Sequence, residues 1–240
     1  MQVDFRGKRA LVTGAAARLG RAIALELGRA GARVAVHYRS SRAQAEETAK
    51  KLGGAPLVEG DQTRDAARIV AESAAALGGL DLLVCSAAQF EKAPAESLSR
   101  ERFEAMLAAN LTGPFLLMQA ALPHLRAARG SIVNLVDLCG TAQVWKGYAH
   151  YAAAKAGLAA LTRLLALEWA PEVRVNAVAP GSVLFPEALP EEERERLVRR
   201  IPLGRPGAPE DVARTVLFLA GSPFITGQVL AVDGGRSVSP

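Results

Sequence analysis

Short apolar segments and helical segments alternate along almost the whole chain, and this alternation constrains the fold more than any other feature. A buried strand at 8–13 is followed by a glycine-bearing turn, an apolar-periodic helix and a second strand at 32–37. The pattern then repeats, with strands predicted at 56–59, 80–85, 131–136, 174–179 and 228–232. Because strands that alternate with helices join in parallel, the sequence predicts one α/β domain over residues 1–240, built on a mostly parallel, doubly wound sheet.

The composition excludes several classes of protein. The 240 residues are enough for one domain with a large core. There is neither an apolar signal-peptide segment nor a run of about 18 apolar residues, so we expect no membrane association. The two cysteines, Cys85 and Cys139, lack metal-type spacing, so we expect no metal site and a reducing cytoplasm. The net charge of +5 comes from scattered arginines, which argues against a nucleic-acid partner.

The turn after the first strand has the composition of a phosphate-binding turn. Gly14 permits a tight turn, Gly20 permits close packing of the helix, and the helix N-terminus offers free N–H groups to a pyrophosphate. The spacing is TGxxxRxG, with Arg18 where a glycine is more usual. We therefore predict dinucleotide contacts from Gly14, Arg18, Leu19 and Gly20; the alternative is a plain helix-capping loop.

The end of the second strand indicates which dinucleotide is bound. An NAD site places Asp or Glu there for the ribose hydroxyls, but this chain has Tyr38, Arg39 and Ser40 and no acid. A carboxylate would repel a 2′-phosphate, whereas Arg39 and Ser40 could bind one through charge-assisted hydrogen bonds. The sequence favours NADP(H), with a solvated basic loop as the alternative.

The carboxyl ends of the other strands carry further candidate ligand contacts. In doubly wound sheets ligands bind at these ends. The residues concerned are Asp61, Gln62, Ser86, Ala87, Asp137, Pro180, Gly181 and Ser182. Their convergence on one edge of the sheet predicts a single site for a small molecule.

Tyr151 and Lys155 lie four residues apart in the most strongly helical segment, so they share one helix face. A nearby ammonium favours the phenolate, and we expect it to lower the pKa of the phenol from about 10. The phenol could then serve as a general acid or base on a carbonyl or imine. The alternative is an ordinary helix with a partly buried tyrosine.

Several of these motifs, in this order, resemble the short-chain dehydrogenase/reductase family: Thr13-Gly14…Arg18…Gly20, Asn110, Tyr151…Lys155 and Pro180-Gly181. The resemblance covers essentially the whole chain. It implies a Rossmann-like fold of about seven strands with helices on both faces, and a homotetramer.

The resemblance also implies roles for single residues. Tyr151 would donate the proton, Lys155 would bind the nicotinamide ribose, and Asn110 would hold a water on a proton relay. Asp61 with Gln62 would contact adenine, and Pro180-Gly181 would line the nicotinamide. Residues 183–207 would form a substrate lid.

Two positions depart from the family pattern. The usual Asn-Asn-Ala-Gly after the fourth strand is replaced by Cys85-Ser86-Ala87-Ala88. The usual catalytic serine before the tyrosine is missing, and the candidates in its place are Asp137 and Leu138. An acid there, together with Arg18, resembles the pteridine reductase branch. It implies Asp137 paired with Tyr151, Phe90 stacked on a pterin, and Arg18 reaching both cofactor and substrate.

The chemistry gives a separate reason for an acid at this position. Reduction of a C=N bond requires a proton at nitrogen, and a carboxyl group in a partly desolvated pocket can donate it. We therefore expect an NADPH-dependent reductase of dihydropterin or dihydrofolate, with Arg18, Phe90, Asp137 and Tyr151 as substrate contacts. A 3-oxoacyl-thioester or other carbonyl reductase is the first alternative, and a catalytically silent NADP(H)-binding protein is the second. The Asp137–Tyr151 spacing of 14 requires one inserted residue.

Overall fold

A computed structural model describes residues 4–185 and 189–239. Its described strands form one sheet of seven, all parallel, in the order β3-β2-β1-β4-β5-β6-β7. Their bounds are β1 (Arg9–Val12), β2 (Arg33–Tyr38), β3 (Leu57–Glu59), β4 (Leu82–Cys85), β5 (Ser131–Leu135), β6 (Arg174–Pro180) and β7 (Val229–Val232). The predicted fold class is confirmed.

The helices connect consecutive strands and cover both faces of the sheet. They are α1 (Arg18–Arg29), α2 (Arg42–Lys51), α3 (Ala66–Leu77), α4 (Arg100–Leu107), α5 (Gly113–Ala128), α6 (Ala149–Glu168), α7 (Glu191–Arg199) and α8 (Pro209–Gly221). The segment Ala108–Thr112 is π-helical and joins α4 to α5 without a break. The sequence had predicted two separate helices around Asn110; this was wrong, because a π-turn inserts a residue while the helix continues.

Two apolar layers enclose the sheet. Side chains alternate along a strand, so Leu11 faces one layer while Val12 faces the other. The first layer is filled by α3, α5 and α6, and the second by α1, α2 and α8. The central strands are therefore buried on both sides, as in other parallel sheets.

The continuous helix Arg100–Ala128 is long and apolar enough to cross a membrane by length and composition alone. Its Leu117, Met118 and Leu125 are fully buried in the first layer. These contacts account for its apolar character, since the core helix of a globular domain has the same composition.

Strands β1 and β4 are neighbours, although the chain proceeds outward from them in opposite directions. At such a reversal the loops after the two strands diverge and leave a crevice at their carboxyl ends. The loops after Val12 and Cys85 border this crevice. The strand order therefore creates the binding site.

Candidate active site

A cavity of about 880 Å³ opens at the carboxyl ends of the strands. It brings together every predicted site residue except Asn110. Those that line it are Gly14, Arg18, Leu19, Gly20, Tyr38, Arg39, Ser40, Asp61, Gln62, Ser86, Ala87, Phe90, Asp137, Tyr151, Lys155, Pro180, Gly181 and Ser182.

The turn between β1 and α1 is compact because it uses two glycines. Gly14 has φ +65°, and a Cβ there would lie 2.9 Å from the Cα of Ala87. A Cβ on Gly20 would overlap the carbonyl oxygen of Gly14. Arg18 also adopts a positive φ, +52°, which explains why glycine would suit its position.

His37 braces this turn, and its role was not predicted from the sequence. The backbone N–H of Gly14 donates to His37 Nδ1 at 3.2 Å, so the proton lies on Nε2, which donates to the carbonyl of Gly60 at 3.0 Å. Burial lowers the pKa of His37 and keeps the ring neutral. The imidazole thus joins the ends of three strands.

Thr13 explains how the altered loop after β4 keeps its shape. Its Oγ1 accepts from the backbone N–H groups of Ser86 and Ala87, both at 3.0 Å. Neither bond depends on the side chains that differ from the family pattern. The turn is therefore anchored by its backbone.

Three observations test whether this end of the cavity fits a dinucleotide. The N-cap of α1 is Ala17, which has no side-chain acceptor, so no side chain caps the first helical N–H groups. The glycine turn brings backbone close to the cavity. The buried Oε1 of Gln62 has no hydrogen-bond partner among the described residues, while its Nε2 donates to Ala109 O at 2.7 Å. Free donors at a helix N-terminus and an unused acceptor fit a nicotinamide dinucleotide.

The basic residue that follows β2 lies close to an acid, which the sequence did not indicate. Arg39 is exposed, but its Nη1 lies 4.0 Å from a carboxylate oxygen of Asp61. Arg64 lies 3.8 Å from the same oxygen, and hydrogen bonds from Thr63 lower the pKa of Asp61. Tyr38 is buried and its hydroxyl donates to Glu59 at 2.9 Å, so it lines the site without a free hydroxyl.

Tyr151 and Asp137 are directly bonded. The tyrosine hydroxyl donates to Asp137 Oδ2 at 2.8 Å, and the backbone N–H of Cys139 donates to the other carboxylate oxygen at 2.8 Å. Lys155 Nζ donates to the carbonyl of Leu135 at 2.7 Å and lies 5.8 Å from the centre of the tyrosine ring. The loop between Asp137 and α6 therefore accommodates the 14-residue spacing.

The expected lowering of the tyrosine pKa is wrong for this state of the protein. Burial is the largest effect and raises the pKa of Tyr151 well above its usual value, and the Asp137 carboxylate raises it further. Burial also lowers the pKa of Lys155 to about 8 and raises the pKa of Asp137. With this pKa, Lys155 is still mostly protonated at neutral pH, but its charge does not outweigh the burial of Tyr151.

Aromatic rings cover the site beside the catalytic pair. Phe90 stacks on Tyr148 with ring centres 4.8 Å apart and an interplanar angle of 19°. It also meets Tyr151 edge-on at 4.9 Å. Trp145 packs edge-on against Tyr148 at 5.9 Å. Phe90 is 54% exposed, so one flat apolar surface stays open to the cavity mouth.

Asn110 is fully buried and does not reach the cavity. Its side chain accepts from the backbone N–H of Gln89 at 3.2 Å and donates to the Gln89 carbonyl at 3.0 Å. It therefore holds the backbone next to Phe90. The predicted water-binding role is not visible in this arrangement.

Arg18 connects the two ends of the site. Its Nη2 donates to the carbonyl of Leu184 at 3.2 Å, beyond β6. On the same side of the site Gly181 packs tightly against Asp233, since a Cβ on Gly181 would lie 2.7 Å from Asp233 Cβ. Of the predicted lid, residues 186–188 lie outside the described residues; the rest contains α7.

Comparison with known proteins identifies relatives over the full length. A family model described as enoyl-(acyl carrier protein) reductase matches residues 14–237. The chain is 36% identical to 3beta-hydroxysteroid dehydrogenase 1 of Eggerthella lenta, over 100% of this chain and 97% of that protein. It is 38% identical to glucose 1-dehydrogenase of Gluconobacter oxydans (98% and 93% covered) and 37% identical to the 3-oxoacyl-[acyl-carrier-protein] reductase of Thermotoga maritima (96% and 98%).

Solved structures agree with this relationship. A Sinorhizobium meliloti protein described as a short-chain alcohol dehydrogenase superposes with a TM-score of 0.93 at 33% identity, covering 100% of both chains. A dehydrogenase/reductase of the same organism gives 0.90 at 33% identity, with 98% and 97% covered. Fold and sequence therefore point to the same group of proteins.

Proposed function

Because the chain belongs to the short-chain dehydrogenase/reductase family, and is therefore an oxidoreductase of the kind that uses a nicotinamide cofactor, we propose that it is an NADPH-dependent reductase. The glycine turn and the helix α1 N-terminus would hold the pyrophosphate, and Arg39 with Ser40 the 2′-phosphate. Asp61 and Gln62 would contact the adenine side, and Pro180, Gly181 and Ser182 the nicotinamide side. A bound cofactor supplies the hydride.

The proposed roles of the catalytic residues follow from their bonds. Tyr151 delivers a proton to the substrate, and Asp137, bonded to its hydroxyl, returns or supplies that proton. Lys155, fixed on Leu135, binds the nicotinamide ribose. Asn110 acts indirectly, by holding the loop that carries Phe90.

We propose the C=N bond of a dihydropterin or dihydrofolate as the reacting group. The 2.8 Å bond between Asp137 and Tyr151 carries this proposal, because a carboxyl group with a raised pKa can protonate a ring nitrogen. Phe90 offers its exposed face to a flat heterocycle. Arg18 lies where it can reach both cofactor and substrate.

Reduction of a carbonyl is the second candidate, and the comparisons favour it. The names of the three relatives refer to an oxoacyl group, a sugar and a hydroxysteroid, and none of them refers to a pterin. A ketone needs only the Tyr151 phenol as proton donor. A catalytically silent protein is disfavoured by the bonded Tyr151–Asp137 pair and by relatives that are named as enzymes.

The decisive assay compares the two substrate classes. NADPH oxidation is followed with 7,8-dihydrobiopterin and dihydrofolate beside acetoacetyl-CoA, for the native enzyme and for Asp137→Ala and Tyr151→Phe. Pterin turnover that collapses in both variants supports the first candidate. Thioester turnover without pterin turnover, unchanged in Asp137→Ala, supports the second and reduces Asp137 to a turn residue.

Cofactor choice has its own test. Arg39→Gln should weaken NADPH binding about tenfold, because one charge-assisted bond to the 2′-phosphate is lost, and should leave NADH binding unchanged. Arg42→Gln, the exposed next arginine, is the control, since it pairs with Glu46. Equal effects on both cofactors would show that Arg39 does not select NADP(H).

We also propose a cytoplasmic location, a homotetramer, and a lid over 183–207 that closes on the substrate. The two free, buried cysteines suit a reducing compartment.

A further inference from the structure

A buried arginine lines the cavity without a carboxylate partner. Arg236 is only 7% exposed, yet among the described residues no carboxylate oxygen lies within 4 Å of its guanidinium. Its side chain donates no hydrogen bond within the described chain either. A guanidinium keeps its charge and carries five donors, and those of Arg236 keep contact with the solvent of the cavity, where a ligand could reach them.

The backbone around Arg236 is built to hold it there. Gly234 and Gly235 have φ +64° and +88°, and a Cβ on Gly234 would lie 2.6 Å from Ile201 Cγ2. The carbonyl of Arg236 accepts from Gln143 Nε2 at 2.7 Å. Gln143 Oε1 in turn accepts from the Trp145 indole at 3.4 Å. This network places Arg236 on the aromatic side of the cavity, away from the adenine end.

A second arginine lines the same cavity. The packing of Gly234 on Ile201 brings the end of α7 to the same wall, and Arg200 there also lines the cavity. Burial lowers the pKa of Arg236, and the charge of Arg200 lowers it further. Arg200 has no carboxylate within 4 Å in the described part of the chain. Two unpaired like charges repel, and an anion between them would relieve the repulsion.

The nearby acids of the described chain compensate this pair only in part. The charge of Asp233 raises the pKa of Arg236, but by less than burial and Arg200 lower it. Both carboxylate oxygens of Asp233 accept backbone N–H groups, from Gly235 and Ser237. Glu193 lines the cavity, but it pairs with Arg196 at 3.3 Å. Asp137 is bonded to Tyr151. Among the residues that the structure describes, no acid forms an ion pair with either arginine, so a negative group on a ligand could bind both.

We propose that Arg200 and Arg236 form a subsite for an anionic group, a carboxylate or a phosphate, that the substrate carries away from its reacting bond. The inference rests on the proposed reductase function, since it concerns the substrate of the same cavity. It predicts that acidic substrates bind better than neutral ones with the same reacting group. For pterins, this selects a folate with its glutamate carboxylates over an unconjugated pterin.

The test uses matched pairs of substrates on the NADPH-bound enzyme. One pair is dihydrofolate and dihydrobiopterin; the other is acetoacetyl-CoA and the uncharged acetoacetyl-N-acetylcysteamine. The variants are Arg236→Gln, Arg236→Lys and Arg200→Gln. Arg199→Gln is the matched control, because Arg199 is exposed, pairs with Glu195 at 3.3 Å and does not line the cavity.

We expect Arg236→Gln to raise KM about tenfold for the acidic member of the pair that is turned over, the effect of one lost charge-assisted bond. KM for the neutral member should change less than about twofold, and kcat should stay unchanged for both substrates. Arg200→Gln should act in the same direction, and Arg236→Lys should recover part of the loss. Added salt should weaken binding of the acidic substrate more than binding of the neutral one.

Other results separate the inference from the function it rests on. An equal loss for both members of a pair, or the same loss in Arg199→Gln, would overturn the subsite. So would a wild type that does not prefer the acidic member. If only the thioesters are turned over, the pterin function fails while the subsite is still tested, with phosphate as the anion. Melting temperatures check folding, and Arg236→Lys keeps the test valid if Arg236→Gln unfolds.

Discussion

At the scale of single residues, the site is governed by the direct bond between a phenol and a carboxyl group. Tyr151 donates to Asp137 while both are largely removed from water. Burial raises the pKa of each group, so the pair holds its protons more firmly than free side chains would. Each group is thus a weaker acid than its free side chain, but Asp137 keeps its proton to a higher pH than a free carboxyl group does and so remains available as a donor there.

The first prediction concerns the pH dependence of reduction. Asp137 donates only when it is protonated, and that form is present below its raised pKa and lost as pH rises through it. We expect kcat with dihydropterin to fall as pH rises, and Asp137→Asn to lower kcat about 10²-fold or more and to flatten the profile. Stopped-flow rates across pH would measure this. If Asp137→Asn kept the pH dependence of kcat of the native enzyme, the Asp137 carboxyl group would be excluded as the proton donor.

The second prediction uses the buried lysine. Lys155 has a pKa of about 8 in the folded protein, against 10.5 for an ordinary lysine. Between these values the unfolded chain binds more protons, so stability should rise with pH, by on the order of 3 kcal/mol at most. Urea unfolding at pH 7.5 and 10 should show the rise in the native protein. Lys155→Met, which carries no ammonium, should lack it, and a rise that persists there would refute the assignment.

The third prediction concerns His37. His37→Ala leaves the Gly14 N–H and the Gly60 carbonyl without their partner. We expect a loss of about 1–3 kcal/mol in stability and about tenfold weaker NADPH binding, because the turn loses its brace. Urea unfolding and fluorescence titration measure both. His124→Ala, on α5 away from the cavity, is the control and should leave cofactor binding unchanged.

At the scale of elements, the first turn of α1 decides how close a cofactor can come. The helix begins at Arg18, directly after the glycine turn, and its N-terminus faces the crevice between β1 and β4. The loop after β4 is held at this crevice at two points. Thr13 bonds the backbone of Ser86, and Asn110 bonds the backbone of Gln89, next to Phe90. The loop is thus held by hydrogen bonds between its backbone and buried side chains.

The fourth prediction compares two glycines of α1. Gly20→Ala places a methyl group against the carbonyl of Gly14, which is backbone and cannot move aside. Gly28→Ala meets only the end of the Leu52 side chain, which can move. We expect Gly20→Ala to weaken NADPH binding more than tenfold and Gly28→Ala to leave it within about twofold. Equal effects on cofactor titration would show that Gly20 is not part of the phosphate turn.

At the scale of the whole molecule, the proposed tetramer requires exposed apolar surface, and two side chains offer it. Leu167 on α6 is 79% exposed and Phe224, before the edge strand β7, is fully exposed. An edge strand also leaves backbone groups available for pairing. These features support the proposed tetramer.

The fifth prediction is the mass in solution. Light scattering should give four times the mass of one chain. Leu167→Glu and Phe224→Glu should each lower it, because a charge would be buried in an interface. Val144→Glu, which is 90% exposed beside the cavity mouth, should not. A native mass equal to one chain would contradict the tetramer.

The fold class could be predicted from sequence, and so could most of the residues that line the cavity. Alternation of strands and helices is a local pattern, and parallel strands that connect through helices can form few topologies, so the position of the strand ends followed directly. Features that depend only on neighbours in the chain could also be predicted: the glycine turn, the Tyr151–Lys155 spacing and the absence of an acid after β2. The π-helical segment around Asn110 was not predicted, because its hydrogen-bond pattern has no clear sequence signal.

Contacts between groups far apart in the chain could not be predicted in this way. The hydrogen bonds of His37 and Thr13 join residues far apart in sequence, and the fold brings Arg200 and Arg236 to the same cavity. The pKa of Tyr151 also depended on burial, which outweighs the nearby lysine and reverses the expected direction. The physical reason is the same in each case. Desolvation and contact are properties of the packed molecule, and local spacing does not contain them.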